Sequence, residues 1–295
     1  MTKITYIPKK FSKAHTEVIE KANDIITEYQ AQGFTLTLRQ LYYQFVARAL
    51  IANKQTEYKR LGGIIDDAKH AGLISWTALE DRTRFLRKNS AWDSPQTIVE
   101  SCAEQFHINR WKTQKWAPEV WIEKDALVGV IEGVCDELDV PYFACRGYVS
   151  GSAQWRAGMR AAEAQRSRRI PIVFHLGDHD PSGIDMTRDN GDKMRLYTGQ
   201  EIEVRRLALN MDQVEEFNPP PNPAKETDSR HSGYAARFGD ESWELDALEP
   251  AAIADLIRTH VTGLIDREKW NRIENLENKG RELIGRAAEW IVDNE

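Results

Sequence analysis

The residues best suited to chemistry are three carboxylates that follow predicted strands in the second half of the chain. Asp178 and Asp180 come directly after the apolar run 170–177, and Glu123 ends the run 119–123. Alternate residues of an extended backbone project from one face, and the carboxyl ends of parallel strands meet at one edge of a sheet. Mg²⁺ usually binds one or two carboxylates together with substrate phosphates. We therefore predict a magnesium site made of Glu123, Asp178 and Asp180.

A purely structural interpretation exists for two of these carboxylates. Asp178 would cap the helix that follows, and Asp180 would lie in its first turn. This interpretation accounts for either aspartate alone but not for three carboxylates at one edge, so we favour the metal site. Asp185, further along the same helix, is expected on the exposed side of that helix rather than in the metal site.

A second chemical candidate is the pair Tyr43 and Arg39 in a predicted helix. On a helical wheel drawn at about 100° per residue from Phe45, Tyr43 lies about 160° away and Arg39 about 120° away. The positions within about 60° of Phe45 form the buried stripe: Leu38, Leu41, Tyr42 and Ala49. We therefore predict that Tyr43 points away from the core beside Arg39. The pair could be a simple surface contact. Alternatively, Tyr43 is a nucleophile and Arg39 neutralises a phosphate oxygen. A phenol has a pKa of about 10, so it needs a nearby cation, metal or base to attack at neutral pH.

Three helices and an extended segment are predicted in the first part of the chain. The helices cover residues 12–30, 37–46 and about 56–72, and Thr37 with Gln40 forms a capping box at the start of the second. Residues 73–79 are then expected to be extended. This order is typical of a winged helix-turn-helix, in which the third helix enters a DNA groove. A three-helix packing unit without a partner is the alternative.

From residue 118 onward, strands and helices alternate, which predicts an α/β fold with a mostly parallel sheet. The predicted strands are 119–123, 140–145, 170–177 and 201–209. The predicted helices include 126–138, 153–167, 250–265 and 269–292. We divide the chain into residues 1–92, which carry the tyrosine, a helical linker at 93–117, and a metal-binding unit at 118–295.

The composition argues against several classes of protein. No apolar run reaches the roughly 18 residues of a membrane span, and the first residues lack the layout of a signal peptide, so we expect a soluble, cytoplasmic protein without membrane contact. Three widely spaced cysteines do not suit a disulfide framework or a zinc ribbon. The net charge of −6 argues against nucleic acid at first sight, but residues 1–120 carry +5 and residues 121–295 carry −11.

Two motifs together resemble one enzyme family. Glu123 followed by Asp178-His179-Asp180-Pro181-Ser182-Gly183 is similar to the signature of the Toprim fold of topoisomerases, primases and related nucleases. Upstream, Arg39-Gln40-Leu41-Tyr42-Tyr43 is similar to the winged-helix (CAP-like) domain of the topoisomerase VI A subunit and of the meiotic double-strand-break transesterase. Glu244-Leu245-Asp246-Ala247-Leu248 also resembles a late segment of this family. The chain looks like the minimal forms found in phage and mobile elements.

The resemblance implies a winged-helix domain followed by a Toprim, Rossmann-like domain, and a mechanism. Tyr43 would attack a phosphodiester of double-stranded DNA and leave a 5′-phosphotyrosyl link and a free 3′-hydroxyl, while Arg39 steadies the phosphate. Glu123 would act as general acid and base, with Asp178 and Asp180 holding Mg²⁺. The tyrosine of one subunit would meet the carboxylates of the other, so a homodimer is expected, in the cytoplasm of a bacterial or phage-infected cell. The chain shows no ATPase region of the B-subunit kind, which leaves an ATPase partner open.

Three classes of function follow. The first is a type IIB topoisomerase-like transesterase, which we favour because the nucleophile, the arginine and the carboxylates occur in the expected order. The second is a metal-dependent Toprim nuclease that forms no covalent intermediate, for which Tyr43 is incidental. The third is a noncatalytic DNA-binding protein.

Overall fold

The computed structural model describes residues 3–80 and 89–293. Its α-helices are α1 (Lys13–Ala31), α2 (Leu38–Ala47), α3 (Gln55–His70), α4 (Pro95–Gln105), α5 (Val128–Glu137), α6 (Gly151–Arg166), α7 (Pro181–Thr198), α8 (Met211–Phe217), α9 (His231–Phe238), α10 (Pro250–Thr262) and α11 (Arg267–Asp293). Its strands are β1 (Trp116–Ile122), β2 (Tyr142–Ala144), β3 (Ile170–Leu176), β4 (Glu203–Ala208), β5 (Asn222–Pro223) and β6 (Glu241–Ser242). Within the described ranges, no helix combines the length and the apolar character that crossing a bilayer requires.

The three N-terminal helices form where the sequence predicts them. The capping box at the start of α2 is present: Thr37 N donates to Gln40 Oε1 at 2.8 Å, and Gln40 N donates to Thr37 Oγ1 at 3.3 Å. The core of this unit is built from apolar residues of all three helices, among them Ile25, Leu41 and Ile64. Local sequence signals therefore suffice to place α2, the helix that carries Arg39 and Tyr43.

The prediction of an extended segment at residues 73–79 is wrong. Leu73 N and Ile74 N both donate to the carbonyl of Ala68, at 2.9 and 3.3 Å, so the chain folds back over the end of α3. Bends and turns follow, and the segment ends in a single parallel bridge between Leu79 and Leu36. The open carbonyls at the end of α3 thus compete for the backbone donors that an extended strand would need.

The second half contains a parallel sheet in the order β2-β1-β3-β4, which confirms the α/β prediction. Ile122, the last residue of β1, lies opposite both Ala144 of β2 and Leu176 of β3. The carboxyl ends of these three strands are therefore level. The residues that follow β1 and β3 consequently meet at the same edge.

Both faces of the sheet are covered. On one face, Val120, Ile122 and Phe174 pack in a core that also contains residues of α5 and α10. On the other face, Trp121 and Val173 pack with residues of α6 and α7. This burial explains why β3 is almost continuously apolar, as strands of parallel sheets usually are.

The segment that follows β6 joins the two halves, and the sequence analysis gives it no structural role. Trp243 and His179 form an antiparallel bridge, with N–H···O distances of 2.8 and 2.9 Å. The short 3₁₀ turn Leu245–Ala247 then packs against α2, and Ala247 belongs to the core of the N-terminal helices. Helices α8 and α9 and the antiparallel strand pair β5–β6, also unpredicted, lie before this segment.

Candidate active site

The three predicted metal ligands lie together at the carboxyl edge of the sheet. Glu123 directly follows β1, and its Oε2 accepts a hydrogen bond from the backbone N–H of Asp178 at 2.9 Å. A Cβ at Gly177 would lie 2.8 Å from Glu123 Oε2, so a larger residue there would displace the Glu123 carboxylate from this position. Burial raises the pKa of Glu123, and Asp180 raises it further, whereas Asp178 N–H, Lys124 and Arg206 lower it. Glu123 therefore lies within electrostatic reach of both aspartates.

Asp180 is the N-cap of α7. Its Oδ1 accepts hydrogen bonds from Gly183 N at 2.6 Å and from Ser182 Oγ at 3.0 Å. Gly183 is required as glycine because a Cβ there would overlap the carbonyl oxygen of Asp178. The capping role that we considered for Asp178 thus belongs to Asp180, and both bonds use the same oxygen.

Asp178 is buried beneath a lysine. Its Oδ1 accepts from Lys124 Nζ at 2.9 Å and from Leu245 N at 2.7 Å. Burial raises its pKa to about 7, with Glu123 and Asp246 raising it and Lys124 opposing them. A further cation close to Asp178 would stabilise its ionised form and lower its pKa. Glu123, Asp178 and Asp180 are called the carboxylate centre below.

Lys124 is a functional candidate that the sequence analysis missed. Its ammonium contacts three carboxylates: Asp178 at 2.9 Å, Glu244 at 2.8 Å and Asp246 at 2.7 Å. Burial lowers its pKa, but these carboxylates raise it above the ordinary lysine value, so the group stays charged. Its position next to Glu123, directly after a strand, is a signal that was available in the sequence.

Arg39 completes a cluster above the carboxylate centre. Arg39 Nε donates to Asp246 Oδ2 at 2.8 Å, and Arg39 Nη2 donates to Glu244 Oε2. Burial would raise the pKa of Glu244, but Lys124 and Arg39 together lower it to about 2. Arg39, Lys124, Glu244 and Asp246 are called the ion-pair cluster below.

Tyr43 is buried, which contradicts the prediction that it points away from the core. Only 3% of its surface is exposed. The wheel correctly places it beside Arg39, whose guanidinium lies 5.7 Å from the centre of the phenol ring. The face of α2 that carries both residues is covered by the 3₁₀ turn at 245–247, more than 200 residues away in sequence. Burial, together with Asp246 and Glu244, raises the pKa of Tyr43 above its ordinary value, while Arg39 lowers it.

A buried arginine fixes the other side of the carboxylate centre. Arg206 of β4 donates to the carbonyls of Gly177 at 2.9 Å, Asp178 at 2.5 Å, Gly183 at 2.9 Å and Leu209 at 3.2 Å. Burial lowers its pKa to about 10, while the centre's carboxylates raise it. Arg206 therefore ties the end of β3 to the first turn of α7.

His179, between the two aspartates, has a structural role. Its Nδ1 is 2.7 Å from the hydroxyl of Tyr234, and its ring packs against Tyr234, Phe238 and Trp243. Burial lowers its pKa to about 4. Through its bridge to Trp243, His179 holds the segment that carries Glu244 and Asp246.

Asp185 lies outside the carboxylate centre, as we expected. It accepts from Tyr148 at 2.6 Å, from Arg230 Nε at 2.9 Å and from Arg188 Nε at 2.8 Å. These donors lower its pKa, although burial opposes them. Asp185 therefore ties the loop before α6 to α7 and to the start of α9.

The donor set suits a hard divalent cation. In the part of the chain that the structure describes, no set of three or more His, Cys, Asp or Glu side chains is arranged as a metal-ligand group. Each member of the carboxylate centre nevertheless uses one oxygen for its described hydrogen bonds, namely Glu123 Oε2, Asp178 Oδ1 and Asp180 Oδ1. The carboxylate centre and ion-pair cluster with Arg206 hold three cations and five carboxylates, a formal charge of −2. Oxygen ligands with this charge fit Mg²⁺.

Comparisons with protein-family models, with curated proteins and with solved structures find no match for this chain.

Proposed function

We propose that this protein cleaves double-stranded DNA by magnesium-dependent tyrosine transesterification, with Tyr43 as the nucleophile. The observation that supports this most is a continuous set of contacts from Tyr43 to the carboxylate centre. Arg39 lies against Tyr43, Arg39 and Lys124 share Glu244 and Asp246, and Lys124 contacts Asp178 at 2.9 Å. A phosphodiester bound at the ion-pair cluster would thus lie between a phenol and a set of metal-binding oxygens.

In the cleavage step, Tyr43 Oη attacks phosphorus and the 3′-oxygen leaves. The phenolic proton passes to solvent, and Glu123, whose pKa burial raises, donates a proton to the departing 3′-oxygen. Arg39 and Lys124 balance the negative charge on the phosphate oxygens. Mg²⁺ held by Asp178 and Asp180 would supply further charge neutralisation at the phosphate, which leaves Glu123 free to act as the acid. The reverse step reseals the strand because the phosphotyrosyl bond conserves the energy of the broken bond.

The proposal includes the domain arrangement and partners that the resemblance implies. The N-terminal helices would form a winged-helix unit and the sheet a Toprim unit, and two copies related by a two-fold axis would cut both strands. Within one chain, Arg39 already binds Asp246, and Tyr43 lies against Arg39. A tyrosine that acts on the partner's carboxylates would first have to leave this contact. An ATPase partner of the B-subunit kind would be needed only for coupled strand passage.

The test is incubation of supercoiled plasmid with the protein and Mg²⁺, followed by denaturant and by division of the sample with and without protease. We expect linear or nicked DNA that carries protein until protease is added. Tyr43→Phe should abolish these products, whereas the matched control Tyr42→Phe should retain them. Tyr42 is equally buried, and its hydroxyl already donates to Asn53 and to the Lys54 carbonyl. Cleavage by Tyr43→Phe would rule out the proposed nucleophile.

The burial of Tyr43 favours one second candidate, metal-dependent hydrolysis without a covalent intermediate. A phenol that is 3% exposed is not presented to a substrate, whereas the carboxylate centre forms without any movement of α2. Under this alternative the plasmid assay yields cut DNA that carries no protein, and Tyr43→Phe cuts at the wild-type rate. Wild-type protein that binds DNA but neither cuts nor relaxes it with Mg²⁺ would instead indicate a noncatalytic DNA-binding protein.

A further inference from the structure

Two cations of the ion-pair cluster share one carboxylate oxygen. Glu244 Oε2 accepts from Arg39 Nη2 and, at 2.8 Å, from Lys124 Nζ. A guanidinium and an ammonium that converge on one anionic oxygen form the arrangement with which proteins bind a phosphate. In this chain the anion between the two cations is supplied by the protein itself.

The two carboxylates of the cluster bind the same two cations but differ in their exposure to solvent. The side chain of Asp246 is completely buried, and it binds Arg39 Nε at 2.8 Å and Lys124 Nζ at 2.7 Å. The side chain of Glu244 is 25% exposed. Asp246 therefore fixes the positions of both cations, whereas Glu244 lies on the solvent side, where an incoming anion reaches it.

We propose that Arg39 and Lys124 form a binding site for one phosphodiester group of DNA, and that the carboxylate of Glu244 occupies this site when no DNA is bound. This inference rests on the proposed function, and it adds Lys124 as a phosphate ligand and Glu244 as an internal competitor. The location suits the reaction. Lys124 Nζ is 2.9 Å from Asp178, and Arg39 lies over the ring of Tyr43, so a phosphate at this position borders both.

Displacement of Glu244 also bears on the burial of Tyr43. Glu244 lies in the segment that leads into the 3₁₀ turn at 245–247, and this turn covers the face of α2 that carries Tyr43. When a phosphodiester takes the place of Glu244, α2 loses one of the two ion pairs that Arg39 makes with this segment, while the pair with Asp246 and the packing of Ala247 remain. Binding of DNA would thereby loosen the cover over Tyr43, which links access to the nucleophile to the presence of substrate.

The test compares Glu244→Gln with Glu241→Gln, each in a Tyr43→Phe background with Mg²⁺. Glu241 provides the matched control because it is an exposed carboxylate three residues away, so both variants remove one negative charge. Anisotropy of a fluorescein-labelled duplex gives the dissociation constants, and a denaturing gel checks that the duplex stays intact. We expect Glu244→Gln to bind about tenfold more tightly, since the internal competitor is removed, and Glu241→Gln to stay close to the parent.

A double-mutant cycle keeps the test decisive. In an Arg39→Gln background, Glu244→Gln should gain much less affinity, because one of the two phosphate ligands is missing. Equal affinities for the Glu244→Gln and Glu241→Gln proteins would overturn the inference, provided that both melt as cooperatively as the parent. If wild-type protein forms no covalent DNA link but Glu244→Gln still binds more tightly, the phosphate site stands and the transesterase proposal fails.

Discussion

The two sides of the carboxylate centre are held in different ways. On one side, Arg206 donates to four backbone carbonyls, and burial lowers its pKa to about 10. On the other side, Lys124 binds three side-chain carboxylates, which raise its pKa despite burial. The four carbonyls belong to the backbone just after β3, just after β4 and in the first turn of α7, whereas a partly exposed side-chain carboxylate such as Glu244 can exchange for another anion. The Arg206 side therefore sets the geometry of the centre, and the Lys124 side provides the exchangeable contacts.

The largest effect is expected on the Arg206 side. Arg206→Met removes one donor from each of four buried carbonyls, of which Gly177 still accepts from Leu209 N, and loss of such a buried charged partner costs about 3–5 kcal/mol. Because Mg²⁺ cannot donate hydrogen bonds to those carbonyls, the ion should not restore the lost stability. Chemical denaturation gives the free energy of unfolding of the variant and of the wild type, once in EDTA and once in Mg²⁺. A restoration by Mg²⁺ would show that Arg206 acts chiefly as a counter-ion.

The matched change on the other side is Lys124→Met, with an expected cost of about 3 kcal/mol in EDTA, since three carboxylates lose their shared cation. Here Mg²⁺ should recover part of the lost free energy of unfolding, because a cation at the carboxylate centre lowers the repulsion among these groups. The same denaturation experiment measures this recovery. If Lys124→Met lost the same free energy of unfolding with and without Mg²⁺, the Lys124 side would not differ from the Arg206 side in its response to a cation.

A smaller effect on stability is expected when Asp178, a proposed Mg²⁺ ligand, is changed. Asp178→Asn removes one carboxylate of the proposed metal site, so it should abolish the rise in melting temperature that Mg²⁺ produces in the wild type. Asp185→Asn is the control, because Asp185 lies seven residues further along, within α7, and binds Tyr148, Arg188 and Arg230 instead. If both variants keep the wild-type response to Mg²⁺, the ion binds elsewhere.

The smallest expected effect is a dependence on pH of the stabilisation by Mg²⁺. Burial raises the pKa of Asp178 to about 7, above its value of about 4 in an unfolded chain. Its contribution to stability is therefore fully present below about pH 4 and is lost as the pH rises through 7. Mg²⁺ competes with this proton, so the shift in melting temperature caused by Mg²⁺ should be larger at pH 8 than at pH 6. A shift that is independent of pH would contradict the assignment of Asp178 as a ligand.

The fold was largely predictable because its signals are local. The capping box of Thr37 and Gln40 places α2, and the apolar run 170–176 places β3 between two covered faces. The bend that begins residues 73–79 was missed although its signal is also local: Gly72 adopts a positive φ of 73° after α3, and this turns Leu73 N back to the carbonyl of Ala68. The tendency of residues 73–79 to form a strand does not take into account the backbone carbonyls at the end of α3, which lack hydrogen-bond donors within the helix.

The site was predictable on the sheet side and not at its junction with α2. Strand order alone places Glu123 and Asp178 at one edge. The burial of Tyr43 depends on a turn around residue 246, and a helical wheel counts only the neighbours within its own helix. The partners of Arg39 and Lys124 are likewise remote in sequence, so the ion-pair cluster becomes visible only in three dimensions.

The central claim is that Tyr43 becomes covalently joined to DNA. Protein incubated with Mg²⁺ and duplex DNA is denatured, digested with nuclease and trypsin, and analysed by mass spectrometry. We predict a nucleotide attached through its 5′-phosphate to Tyr43, in the peptide that contains Leu41 to Arg48. A modification on another residue, or cut DNA with this peptide entirely unmodified, would contradict the account.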